Sequence, residues 1–116
     1  MITKGIRGAI TVTENTEASI REATIELVSQ LVSENKIEIN NISHVIFTTT
    51  SDLTKAFPAK YARTELGFEN VAMMCFNELE VENSLQMCIR VLIVLNCNED
   101  FIPKFVYLKG ASNLRK

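Results

Sequence analysis

A chain of 116 residues with 47% apolar and 22% charged side chains is long enough to bury one core and too apolar to stay disordered. Its formal charge of -2 is spread over the sequence, so there is no basic stripe for nucleic acid, and no apolar run reaches bilayer-spanning length. Thr3 to Thr13 alternates Ile6, Gly8, Ile10 and Val12 with Gly5, Arg7, Ala9 and Thr11, which predicts a first strand with small residues around a cation. Asn15 and Thr16 both offer an N-cap, Glu17 and Glu22 suit the start of a helix, and Ile20, Ala23, Leu27 and Leu31 keep helical spacing to Glu34. Asn35 to Asn41 reads as a loop with one helical turn after it, and His44 to Thr50 as a β-branched second strand. Ser51-Asp52 starts a turn, Pro58 opens a helix over Ala59 to Leu66, and Gly67 stops it.

Val71 to Phe76 reads as a third strand and Asn77 to Asn83 as an acidic, irregular stretch. Leu85 to Asn96 and Phe105 to Leu108 complete five strands. A long helix between the first two strands makes the simplest architecture a five-stranded mixed sheet with helices on one face, of the α/β (α+β) class, in one domain over residues 1–116. The opposite face holds Met73 and Cys75, or else Cys88 and Leu92. Left open, that face predicts self-association. Three cysteines without a C-x-x-C spacing, the single His44 at a strand edge and no leader-like apolar segment predict no disulfide, no metal site and a cytoplasmic setting.

Arg90 interrupts the apolar run from Met87 to Leu95. A guanidinium there stays charged, because its pKa exceeds ~12. Unpaired burial is costly, so it must meet either an internal carboxylate or an anion from outside. Other polar groups stand out beside it. Arg7 lies on the small-residue strand face, Lys60 and Arg63 share a face of the Pro58 helix, Tyr107 brings a hydroxyl to the last strand, and Glu78 is the first carboxylate after the third. Converging arginines suit an anion with more than one carboxylate, since the planar fork binds carboxylate bidentately. The alternative is that each pairs with a surface acid. Cys75 and Cys88 have no partner base and read as core residues, and Phe57-Pro58 is either a pocket wall or a helix staple. Pattern alone therefore yields an anion-binding, oligomeric α/β domain.

The chain resembles the trimeric, monofunctional chorismate mutases of the Bacillus type. Gly5-Ile6-Arg7-Gly8-Ala9-Ile10-Thr11-Val12 is similar to that family's opening strand, and Asp52-Leu53 with Phe57-Pro58-Ala59-Lys60 and Arg63 to its pocket helix. Cys75, Glu78 and Leu85 followed by Cys88-Ile89-Arg90-Val91 resemble its central segment, and Val106-Tyr107-Leu108 with Ala111, Leu114 and Arg115 its last strand and tail. The order and spacing of the four segments carry the resemblance.

The resemblance implies a homotrimer closing into a pseudo-barrel, with pockets between subunits that convert chorismate to prephenate by a [3,3] Claisen rearrangement without cofactor or metal. Arg90 would meet the ether oxygen and one carboxylate. Arg7 and Tyr107 would hold the side-chain carboxylate. Glu78 would accept from the ring hydroxyl, with Cys75 and Met74 beside it. Phe57, Lys60 and Arg63 would come from the neighbouring subunit, and Leu114 and Arg115 would close over the pocket as a tail. Ser51, Met74 and Leu79 depart from the family pattern, replacing a proline, a threonine-like residue and a methionine. Two other readings are a non-catalytic trimeric dicarboxylate-binding or regulatory module and an enamine/imine deaminase on a similar trimeric fold. The Cys88-Ile89-Arg90-Val91 segment with Glu78 and Tyr107 fits the mutase better.

Overall fold

A computed structural model describes residues 1–114. Its strands are β1 (Ile2–Thr11), β2 (Ile42–Thr49), β3 (Ala72–Asn77), β4 (Cys88–Cys97) and β5 (Val106–Leu108), and its helices are α1 (Glu17–Glu34) and α2 (Pro58–Glu65). They form one sheet in the order β3-β2-β4-β1-β5. The most apolar strand, β4, is central and antiparallel to both neighbours, β1 and β2. The two outer strands are parallel to theirs, β3 to β2 and β5 to β1, which makes the sheet mixed. Among the described residues no helix is long and apolar enough to cross a membrane.

Strand alternation decides which residues enter the core. Ile6, Ile10, Val45, Phe47, Ile89, Val91 and Ile93 are buried on one face, beneath Ile20, Leu27, Val28 and Leu31 of α1. Gly8 lies on this face because nothing larger fits. A Cβ there would stand 2.8 Å from Leu31 Cδ1 and 3.0 Å from the carbonyl oxygen of Val106. Of the two predicted cap residues, Thr16 is the N-cap, its hydroxyl accepting from the Ser19 amide at 3.1 Å. Asn15 instead ties down the segment before α2, exchanging hydrogen bonds with the Thr54 hydroxyl and amide, both at 2.9 Å. Pro58 opens α2, and Gly67 follows its end with φ +79°, a conformation that glycine adopts without strain. An Arg21–Glu65 ion pair of 2.5 Å joins the two helices at the surface.

The opposite face is not covered by α1 or α2 and, among the described residues, is closed only at one end, where Leu85, Ala111 and Leu114 pack against Ala9 and Cys88. Of the two alternatives for its composition, Cys88 and Leu92 lie on it, whereas Met73 and Cys75 pack into the main core. The face carries Met74, Ile46, Leu92 and Arg7 in one cross-strand row, and Phe76, Thr48, Arg90, Ala9 and Tyr107 in the next.

β4 begins at Cys88, not at Leu85 as its apolar pattern suggests. The cause is a long-range clamp. Both carboxylate oxygens of Asp52 accept from the Met87 amide, at 3.2 and 3.1 Å, and hold Met87 at φ +51°. Thr50 donates to Asp52 at 2.5 Å, and its hydroxyl accepts from the Cys88 amide at 3.0 Å. This fixes the backbone two residues before Arg90. Asp52→Ala is expected to lower stability by about 2 kcal/mol, the scale of lost hydrogen bonds to a charged group, read from the urea unfolding midpoint. Asp52→Asn should lose less, because its amide oxygen still accepts.

Candidate active site

The sheet brings the strand cations together on its open face. Arg90 on β4 stands opposite Ala9 on β1, and Ala9 stands opposite Tyr107 on β5, so the smallest side chain of the row separates the arginine from the phenol. Arg7 lies two residues from Ala9 on the same face of β1. A depression of 240 Å³ is lined by Arg7, Ile46, Thr48, Glu78, Arg90 and Leu92 among others. Glu78 reaches it because its amide extends the β2–β3 pairing, donating to the Thr49 carbonyl at 2.8 Å just past the end of β3.

Of the two fates open to Arg90 in the sequence, the structure shows the internal carboxylate and leaves the side chain partly exposed. Its Nε lies 2.9 Å from Glu78 Oε1, an ion pair within the chain. That nitrogen is nonetheless buried with no aligned hydrogen bond, so the contact is coulombic and its N–H points off the carboxylate. The side chain as a whole stays 32% exposed and faces the depression. The arginine is thus partly neutralised and still reachable. The Tyr107 hydroxyl is buried and has no hydrogen-bond partner among the described residues. Cys88 lies beside Arg90. Burial pushes its thiol up, opposed by Arg90.

The remaining predicted residues gather elsewhere, along α2 and the β3 edge. Phe57, Lys60, Arg63, Met74 and Cys75 line a separate depression of 290 Å³. Phe57 is 72% exposed and lines this depression beside Met74. Met74 is also exposed, and Lys60 sits 5.6 Å above the Tyr61 ring. Cys75 is not beside Glu78 within the chain. β3 alternation turns it under α2, where burial pushes its thiol up despite a backbone hydrogen bond involving Ala59. A larger hollow of 390 Å³ between Leu53, Lys55, Phe57 and Asn77 contains neither strand arginine, so charge rather than size marks the site. Leu114 packs with Leu85 and Tyr107 against Ala9, Cys88 and Ala111, anchored at the sheet. Arg115 lies outside the described residues.

One participant escaped sequence reasoning. Thr48 donates to Glu78 Oε1 at 3.0 Å and is the register partner of Arg90. Its only sequence signal was its parity with His44 and Ile46, which had no meaning until β2 was known to neighbour β4.

A family model described as chorismate mutase type I matches residues 3–116. The chain belongs to the type I chorismate mutase family. It is 43% identical over 115 residues to the chorismate mutase AroH of Thermus thermophilus, covering 97% of this chain and 93% of that one. It is 34% identical over 117 residues to the chorismate mutase AroH of Bacillus subtilis (strain 168), covering 99% and 91%. A solved chorismate mutase from Clostridium thermocellum superposes with a TM-score of 0.87 at 42% identity, covering 93% of this chain and 96% of that structure. Its activity is accordingly that of a chorismate mutase, an isomerase of aromatic amino-acid biosynthesis.

Because burial raises the Cys75 thiol above its ordinary value of 9.0, little thiolate is present at pH 8. Iodoacetamide is expected to label Cys75 more slowly than a free thiol there, with the rate still climbing above pH 9, as read by peptide mass.

Proposed function

We propose that this chain works in the cytoplasm as a homotrimer and converts chorismate to prephenate in clefts between its copies. The observation that carries the reading is Arg90. It is a permanent cation fixed on a sheet face, paired at Nε and open to a depression that also holds Arg7 and Glu78. The rearrangement breaks one carbon–oxygen bond and forms one carbon–carbon bond within a single molecule. No proton leaves and no covalent intermediate forms, so the site has to supply restraint and charge rather than a nucleophile, a base or a cofactor. The reactant carries two carboxylates, which suits a site built from arginines.

Arg90 is assigned to the ether oxygen, where negative charge grows as the bond parts. A donor fixed there before reaction acts on the transition state more than on the ground state. Arg7 and the unpartnered Tyr107 hydroxyl are assigned to the side-chain carboxylate, and their positions hold it folded over the ring. Glu78 is assigned to the ring hydroxyl. The second group, Phe57, Lys60, Arg63, Met74 and Cys75, is assigned to the same cleft from a neighbouring copy, with Leu114 and Arg115 at its rim. Two observations support this division. Arg7, Glu78 and Arg90 line one depression of the chain and the second group lines another, and the open face exposes Met74 and Phe76 beside them.

Arg90→Ala is expected to lower kcat at least ~100-fold, the scale of losing one preorganised charge-stabilising donor. Arg90→Lys should also lose much of the rate, because it keeps the charge without the fork. Both are read from chorismate consumption and prephenate formation, and a parent-like rate in Arg90→Ala would reject the assigned role. Gel filtration is expected to give a trimeric mass. A fully active monomer would rule out a cleft shared between copies.

A further inference from the structure

Glu78 poses a problem for the site it belongs to. A carboxylate next to a guanidinium favours the bidentate arrangement, with two parallel N–H···O bonds on the fork. In that arrangement Glu78 would occupy the donors the substrate needs, and the pair would mask itself. The Glu78 amide is held by the Thr49 carbonyl just past the edge strand β3, which places the residue but leaves its long side chain several rotamers.

What holds it is the strand beside Arg90. Thr48 is the register partner of Arg90 on β2, and its side chain emerges on the same face. Its hydroxyl donates to Glu78 Oε1 at 3.0 Å, the same oxygen that lies 2.9 Å from Arg90 Nε. The other oxygen, Oε2, accepts from the Leu79 amide at 3.3 Å. One carboxylate oxygen is thus shared between threonine and Nε, and the second is drawn back toward its own backbone. The closest contact of the pair is at Nε.

We propose that Thr48 is a positioning residue. Its hydroxyl pins Glu78 to the Nε side of Arg90 and keeps the rest of the guanidinium open to the substrate, while leaving Oε2 for the ring hydroxyl. This rests on the proposed reaction at the Arg90 depression. Without the hydroxyl, Glu78 swings onto the fork, and the substrate must displace it on binding.

Thr48→Val tests this, since valine keeps the shape and the β-branching and removes only the donor. KM for chorismate is expected to rise about tenfold, the scale of one hydrogen bond to a charged group, with a smaller change in kcat. Thr48→Ser should restore the parent KM. In a Glu78→Ala background, Thr48→Val should have no further effect, because no carboxylate remains to be held. An equal loss in both backgrounds would mean that Thr48 serves only the fold, and an unchanged KM in Thr48→Val would reject the proposal outright. A crystal structure of Thr48→Val separates this from failure of the reaction itself. Glu78 rotated onto the terminal nitrogens supports the proposal, and Glu78 unmoved overturns it. Either result holds even if the parent protein leaves chorismate unchanged, in which case the reading of the reaction fails alone.

Discussion

A guanidinium on the central strand of a sheet is a charge that the protein cannot neutralise by losing a proton. Much of the site's construction answers that constraint. Ala9 opposite it leaves space, Glu78 offers a partial counter-charge, Thr48 holds that counter-charge, and the Asp52–Thr50 clamp fixes where β4 begins. A complete internal pair would satisfy the arginine and disable it, whereas no pair would leave it unfavourable to bury. Closest contact at Nε, with the side chain about a third exposed, lies between these limits. It keeps the cation in place before any substrate arrives, which is the condition for preorganised electrostatic stabilisation.

The open sheet face links this local problem to assembly. One face is sealed by α1 and α2, and the other carries a functional row flanked by apolar side chains exposed to water. The same surface therefore has two reasons to be covered. One is burial of Met74 and Phe76, and the other, in the proposed assembly, is to bring together the cations that a single chain holds in two depressions.

Much of the fold could be read from local pattern, because burial imposes periods of 2 and 3.6 on the residues that face it. Thr16, Pro58 and Gly67 mark the helix ends through capping and backbone preferences that act over a few residues. Arg90 stood out for the same reason, as a permanent charge in an apolar run. Pattern failed where distant groups decide. The start of β4 depends on Asp52, 35 residues before Met87, and apolar Leu85 and Met87 read as strand until that carboxylate is in place. The role of Thr48 and the seat of Cys75 depend on which strands are neighbours and which face each side chain takes.

The amino-acid sequence by itself determined the elements, the class of sheet, the family and the short set of cations, because these rest on residue type and on spacing along one strand or helix. Tertiary structure alone decided which of them meet: that β2 lies beside β4, that Arg90 keeps its carboxylate at Nε, and that the second cation group lines a different depression. The physical reason is reach. Propensity and periodicity act over a few residues, whereas the pairing of charges and hydroxyls is set by strand order and register, which the chain fixes only when its core closes.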